Sequence, residues 1–221
     1  MDIDELNFSS PLGERKTITH PSDNGDETGL VTLPGSNHLC LLPYQIPQVR
    51  KILGKIFHTV FPTTIVDGTC HIGSDSLNFS ATFPNAKIIA IDIDPEAVRC
   101  LRANVEKTGR TNYFELVESD FEEWMDRTQT KADMYYLDPP WGDNYHSQRE
   151  LSLTLGGKPV EEIIKKIFDL ELTKIVLLKV PRNFAYPSFK KATRHRKTEL
   201  CYIYKEGKHP QIAYGLVIIS I

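Results

Sequence analysis

The sharpest local pattern in the chain is Asp138-Pro139-Pro140-Trp141-Gly142, which directly follows the apolar run ADMYYL. Two consecutive prolines hold the backbone extended and leave their carbonyls free. The Asp138 carboxylate and the Pro139 carbonyl can then both accept hydrogen bonds from an exocyclic amine. Such bonds turn the nitrogen lone pair toward an electrophile. Trp141 offers a flat face on which a nucleobase would stack, a contact worth roughly 1–3 kcal/mol. An amine that sheds its proton during or after group transfer needs no strong general base. Orientation is then the main catalytic contribution. The competing reading is a rigid turn with a core tryptophan.

Three earlier segments carry a second kind of chemistry. Asp67, Gly68 and Gly73 lie in VDGTCHIGSDS, where glycine lets a backbone turn tightly against a ligand. Asp92 closes KIIAID and suits the two hydroxyls of a ribose. Asp94 either faces the same way or caps the helix opened by Pro95. Asp120 in VESDF can accept from an adenine amino group with Phe121 packing beside the ring, or it caps the helix FEEWMD. A glycine turn, a ribose acid and an adenine acid at successive strand ends fit an adenosyl cofactor better than a dinucleotide. Neither GxGxxG nor a phosphate-loop Lys-Ser/Thr pair is present.

These groups need strand ends to stand on, and the hydrophobic pattern supplies them. Strands are expected over 64–70, 87–94, 113–118, 132–137 and 174–180, and helices over 74–83, 95–109, from 121 and over 160–170. The isoleucines of the second strand suit a strand covered on both faces. Alternation at this spacing predicts an α/β fold: a mostly parallel sheet with helices on both faces. Two late strands, 199–204 and 213–219, would add an antiparallel hairpin at its edge. A helix is expected near 48–60, stopped by Pro62, within an N-terminal extension of residues 1–60. Residues 61–221 form the main domain. The polar stretch 21–29 reads as a loop or arm, and His20 and Asn24 are candidates to cover the site.

The chain has 221 residues, 40% hydrophobic and 25% charged, with a net charge of -3. That is ordinary globular composition, and it disfavours a general nucleic-acid coat protein. No run of 18 apolar residues or signal-peptide pattern occurs, so the expectation is a soluble intracellular protein without a membrane partner. Cys40, Cys70, Cys100 and Cys201 are too widely spaced for a zinc pattern and read as free thiols, with no metal expected. One segment stands apart. Lys179, Arg182, Lys190, Lys191, Arg194, Arg196 and Lys197 are uninterrupted by any acid. Such a patch beside the fifth strand's end can hold RNA phosphates, Lys179 and Arg182 first, or can be solvated surface. Phe184 and Tyr186 would sandwich a base opposite Trp141, or pack in the core. Tyr145 and His146 open a polar stretch, through Gly157, that suits a substrate lid.

Taken together, these motifs resemble the class I S-adenosylmethionine-dependent methyltransferases, in their amine-methylating branch, over about residues 64–180. They are most similar to the trimethylguanosine synthases, which methylate the exocyclic amine of a 7-methylguanosine RNA cap. That family's first motif is close to VDxxCGxGGNTIxF, where this chain has VDGTCHIGSDSLNF. Its second is close to VIAIDIDP, against IIAIDIDP here, and its catalytic strand ends SPPWGG, against DPPWGD.

The resemblance implies a Rossmann-like class I fold with a seven-stranded, mostly parallel sheet, and S-adenosylmethionine as cofactor. Asp67 and Gly73 would frame the methionine part, with Gly68 and His71 in the same loop. Asp92 would hold the ribose, and Asp120 with Phe121 the adenine. Asp138, Pro139 and Trp141 would serve catalysis, with Trp141 on the cap guanine. Tyr145, Lys179, Arg182 and Phe184 would line the substrate, a 5′-capped RNA. A monomer is compatible with this reading. Three departures stand out: His71 and Ser74 replace glycines, and Asp138 replaces serine. The last moves the motif toward the DPPW of adenine N6-methyltransferases. An adenine or guanine amine in internal RNA or DNA is therefore the rival substrate. A non-catalytic cap- or RNA-binding module is the rival class, motivated by His71.

Overall fold

The computed structural model describes residues 30–33, 40–209 and 211–221. The stretch 21–29, with His20 and Asn24, lies outside the described residues. Seven strands form one sheet: β1 (Thr64–Asp67), β2 (Lys87–Asp92), β3 (Phe114–Glu118), β4 (Met134–Leu137), β7 (Ile175–Val180), β8 (Lys197–Tyr204) and β9 (Ile212–Ser220). A two-stranded hairpin, β5 (Thr154–Leu155) and β6 (Lys158–Pro159), stands apart from it. The sheet order is β3-β2-β1-β4-β7-β9-β8. β3, β2, β1, β4 and β7 are parallel, and β9 runs antiparallel to both β7 and β8. This is the expected architecture, and the strand order reverses between β1 and β4. In open α/β sheets a ligand crevice forms at that switch point, beyond the carboxyl ends of the strands.

Alternation along the strands builds two cores. On one face Ile65, Ile88, Ala90, Tyr136 and Leu177 pack with α1 (Ile46–Ile56), α2 (Ser74–Thr82) and α3 (Pro95–Lys107). On the other, Val66, Ile89, Ile91, Tyr135, Leu137 and Leu178 pack with α4 (Phe121–Thr128), α5 (Val160–Asp169) and α6 (Tyr186–Ala192). Side chains of successive strand residues point to opposite faces, so a continuous apolar run serves both layers.

The elements differ from expectation at a few ends. The first helix begins at Ile46, with Pro47 in its first turn, and ends at Ile56. Pro62 does not stop it, because Phe57 has already left helical geometry at ψ 41°. β1 ends at Asp67 rather than Cys70, because the chain turns at Gly68 into the loop before α2. α6 and the β5–β6 hairpin were not expected. Both are too short for a periodic signal.

The extension is not a separate body. Leu41, Ile46, Val49 and Leu53 share the first core with the sheet. Gln48 exchanges two 2.9 Å hydrogen bonds with the Tyr204 backbone, donating to its carbonyl and accepting from its N–H. That pairing covers part of the edge of β8, which would otherwise present unpaired backbone groups. Asn104 of α3, fully buried, accepts from the Val31 N–H at 2.6 Å and donates to the Val31 and Ile72 carbonyls at 3.0 Å each. Truncating it strands three backbone groups, each costing about 1–3 kcal/mol if left unsatisfied. Asn104→Ala is expected to lower unfolding stability by about 2–4 kcal/mol in urea melts. It should also speed exchange of the Val31 amide hydrogen. An unchanged midpoint would contradict this account.

Candidate cofactor and base-binding crevice

The loop after β1 occupies the switch point. Asp67 is fully buried and accepts from the Ser76 hydroxyl at 2.6 Å and the Thr69 N–H at 3.3 Å. Burial pushes its carboxyl up to about 8; Asp75 and Asp138 add to this, and the two hydrogen bonds oppose it. A side chain at Gly68 would meet Phe121 at 2.6 Å and Leu137 at 2.9 Å, so glycine is needed there for close approach. His71 adopts φ 47°, in the left-handed region, where the resembling family has a glycine. Gly73 has φ 88°, and a Cβ there would sit 2.1 Å from Leu101.

Asp92 and Asp138, on either side of this loop, are both tied to it. The His71 N–H donates to Asp92 Oδ2 at 2.7 Å, and the Asp94 N–H donates to Oδ1 at 3.0 Å. Each oxygen keeps a lone pair for a diol. On the other side the Asp138 N–H donates to Thr69 Oγ1 at 2.6 Å. Asp94 itself caps α3 through the Glu96 N–H at 2.9 Å. Asp120 caps α4 through Oδ1, which accepts from the Glu123 N–H at 3.0 Å. Its Oδ2 lies 3.8 Å from where a Gly156 side chain would begin, at the turn of the β5–β6 hairpin. Phe121 needs correction. It is 4% exposed and packs with Trp124 and Tyr135 beneath Gly68, so it fills the core rather than lying open beside an adenine. The open apolar group is Ile93, 68% exposed beside Asp92.

Lys179 needs correction too. It is 6% exposed, its ammonium 2.9 Å from Asp138 Oδ2 and 3.1 Å from Asp75 Oδ2, over the Tyr214 ring at 5.0 Å. β7 alternates, and Lys179 falls on the inward side with Leu177, so it cannot reach a solvent phosphate. Burial acts to discharge it, but Asp138 and Asp75 outweigh burial and hold it protonated. The Asp138 carboxyl sits above the usual carboxylate range: burial raises it, Lys179 pulls it only part of the way back, Asp75 raises it and His71 lowers it.

In the DPPW turn Pro139 is buried and Trp141 half-buried. The Trp141 indole N–H and His71 Nε2 are both inaccessible and have no hydrogen-bond partner. Trp141 meets Tyr145 edge-on at 5.2 Å, and Tyr145 lies 3.7 Å from the exposed His146 ring. Burial raises the Tyr145 hydroxyl, and nearby Arg182 lowers it. Asn183 donates to the Tyr145 and Gln148 carbonyls at 2.8 Å, and Leu151 bonds the backbone of Asn183 and Ala185. The stretch read as a lid is thus fastened at 145, 148 and 151.

Arg182 is exposed just past β7, with no ion pair among the described residues. Phe184 is half-buried against Phe189 at 5.3 Å, and Tyr186 turns its hydroxyl toward Thr198 at 3.3 Å. Tyr186 therefore does not sandwich a base opposite Trp141. The basic run descends the flank: Lys197 is level with Ser220, which pairs with Ile175 at the far end of β7. Sequence reasoning passed over Thr69, Asp75, Ile93 and Asn183. Asp75 alone had a signal, as an acid in the first turn of α2.

Asp67 gives a pH signature. Its unfolded-state carboxyl titrates near 3.9, but in the fold it keeps its proton to about 8. The folded state binds more protons in that window, so stability falls as pH rises through it. In cofactor-free protein, the melting temperature should fall more between about pH 5 and 8 for the wild type than for Asp67→Asn. Parallel curves would refute this assignment.

Comparison with known proteins places this crevice in context. The chain resembles the precorrin-6y C5,15-methyltransferase of Geobacter metallireducens GS-15, with a TM-score of 0.61 at 18% identity, covering 91% of this chain and 96% of that one. It also resembles the human methyltransferase 10 domain containing protein, with a TM-score of 0.62 at 13% identity, covering 91% and 94%. At these identities the likeness concerns the fold. In sequence it is 25% identical over 175 residues to the uncharacterized protein L320 of Acanthamoeba polyphaga mimivirus, spanning 79% of this chain and 67% of that protein. The family model described as RNA cap guanine-N2 methyltransferase matches residues 62–216. That match spans well over half of the sequence and includes both the loop after β1 and the DPPW turn, so the chain belongs to this family of S-adenosylmethionine-dependent class I methyltransferases.

Proposed function

We propose that the protein transfers a methyl group from S-adenosylmethionine to the exocyclic amine of a nucleobase, with N2 of a 7-methylguanosine RNA cap as the target. One observation carries this reading. Within three residues, the loop after β1 bonds both to the ribose-type acid, through the His71 N–H to Asp92, and to the catalytic turn, through Thr69 to Asp138. A donor sugar on Asp92 and an amine on Asp138 would therefore face each other across one short loop.

The residues present fit the cofactor. Asp92 has lone pairs left for a ribose diol, and exposed Ile93 offers an apolar wall for a purine. When bound, S-adenosylmethionine supplies an electrophilic methyl carbon on a sulfonium. Everything else is orientation by the chain. Trp141 stacks the base, while Asp138 and the Pro139 carbonyl accept from its amine and aim the lone pair. Exposed Arg182, beside Tyr145, would take the cap phosphates, and the basic flank from Lys190 to Lys197 the RNA that follows. No helix among the described residues is long and apolar enough to cross a membrane, and no group of His, Cys, Asp and Glu among them is arranged to hold a metal ion.

Asp138 supports a second reading, an adenine amine in RNA or DNA, since DPPW is the adenine-type motif. Incubation with labelled S-adenosylmethionine and capped RNA, followed by nucleoside analysis, separates the two. Label is expected on N2 of the cap guanine; label on adenine, or equal labelling of uncapped RNA, would overturn the cap assignment. Loss of the stacking face in Trp141→Ala should lower kcat/KM by about ten- to a hundredfold. Titration with S-adenosylmethionine should show binding, and RNA binding without it would favour a non-catalytic module.

A further inference from the structure

Lys179 lies where the alternation of β7 calls for an apolar residue. Its neighbours Leu177 and Leu178 face the two cores, and Lys179 falls on the first. A buried ammonium costs several kcal/mol unless well paired, and here two carboxylates from different elements pair it. Leu178 is in register with Leu137, which sets Lys179 beside Asp138 at adjacent strand ends. Asp75 reaches in from the first turn of α2. We infer that Lys179 is a positioning residue for methyl transfer: seated between Asp75 and Asp138, it fixes the Asp138 carboxylate as acceptor for the proton that leaves the methylated amine. This rests on the amine-methylation reading above and adds a role for a residue that touches neither base nor cofactor.

The geometry divides the labour of Asp138. Oδ2 lies 2.9 Å from the Lys179 ammonium, while a quarter of the side chain stays open to solvent. In the transfer, the amine nitrogen forms a bond to the methyl carbon as the carbon–sulfur bond breaks, its electron pair passing to sulfur. The nitrogen then carries a positive charge, and its N–H proton passes to the carboxylate. From there it leaves to water, since a quarter of the Asp138 side chain is exposed. A carboxylate that is already protonated cannot accept it. The charges facing Asp138 are Lys179 from β7, Asp75 from α2 and His71 from the loop after β1; Asp67, Tyr136 and Tyr214 complete the surroundings. Burial favours a neutral Asp138, Lys179 opposes that, and Asp75 competes for Lys179.

The two partners of Lys179 make the test two-sided. In Lys179→Met the acidic limb of the kcat–pH profile should move up by about one to three pH units. In Asp75→Asn it should move down by about one, because Lys179 then serves Asp138 alone. Lys179→Arg should restore the limb toward the wild-type position. A structural role would lower activity without moving the limb in opposite directions. Limbs that stay in place, or move the same way in both variants, overturn the proposal. Carboxyl-carbon NMR of aspartate-labelled protein, with the Asp138 signal assigned by Asp138→Asn, reads the same opposed shifts without substrate. It also rests on Asp75→Asn alone if Lys179→Met does not fold. Wild-type protein inactive on capped RNA would fail the functional reading; titrations unmoved in the variants would fail this one.

Discussion

A loop of three residues binds the two halves of the crevice to each other. Thr69 receives the backbone N–H of Asp138, and His71 gives its own N–H to Asp92. The intervening Cys70 N–H bonds the Ile91 carbonyl at 2.9 Å. Three neighbouring strands, β2, β1 and β4, therefore have their carboxyl ends fastened to one short piece of backbone. The tight turn exists because Gly68 has no side chain to strike Phe121 and Leu137, and because His71 and Gly73 take left-handed backbone angles. For His71 that conformation is unfavourable, since its Cβ crowds the backbone there. The bonds to Asp92 and from Asn104 to Ile72 hold the loop in place despite it.

Electrostatics give this site its second layer. Asp75 and Asp138 flank one lysine, and buried Asp67 feels both carboxylates, an excess of negative charge in a low-dielectric setting. Burial resolves part of the excess by leaving Asp67 protonated. The remainder suits a cationic donor, which a sulfonium cofactor is. A charge cluster of this kind is weak evidence for stability, because desolvation offsets most of the attraction. What it does provide is a fixed relation between α2, β4 and β7, since Lys179 joins Asp75 of α2 to Asp138 at the end of β4 through its two ion pairs.

The layout of elements was legible because it follows from local rules. Apolar runs of strand length, Pro95 opening a helix and Gly109 closing it, and the DPPW stop after β4 each carry their meaning within a few residues. The acids at strand ends were legible for the same reason, since an acid that closes an apolar run falls at the edge of the sheet. The failures share a different cause. By residue type Phe121 suits an aromatic near a ring and Lys179 a cation near a phosphate, yet the fold buries both. Whether a side chain faces core or crevice depends on which layer covers it, and that is a property of packing.

By itself, then, the amino-acid order determined the strand and helix sequence, the class of fold and which strand ends carry acids, because periodicity and turn chemistry act over short distances. Only the tertiary structure decided partnership: that Asn104 ties residue 31 to the loop after β1, that the basic run descends away from the crevice, and that Lys179 is enclosed by Asp75 and Asp138. Those pairings join residues dozens of positions apart, and their energies depend on burial and distance, which no local pattern encodes.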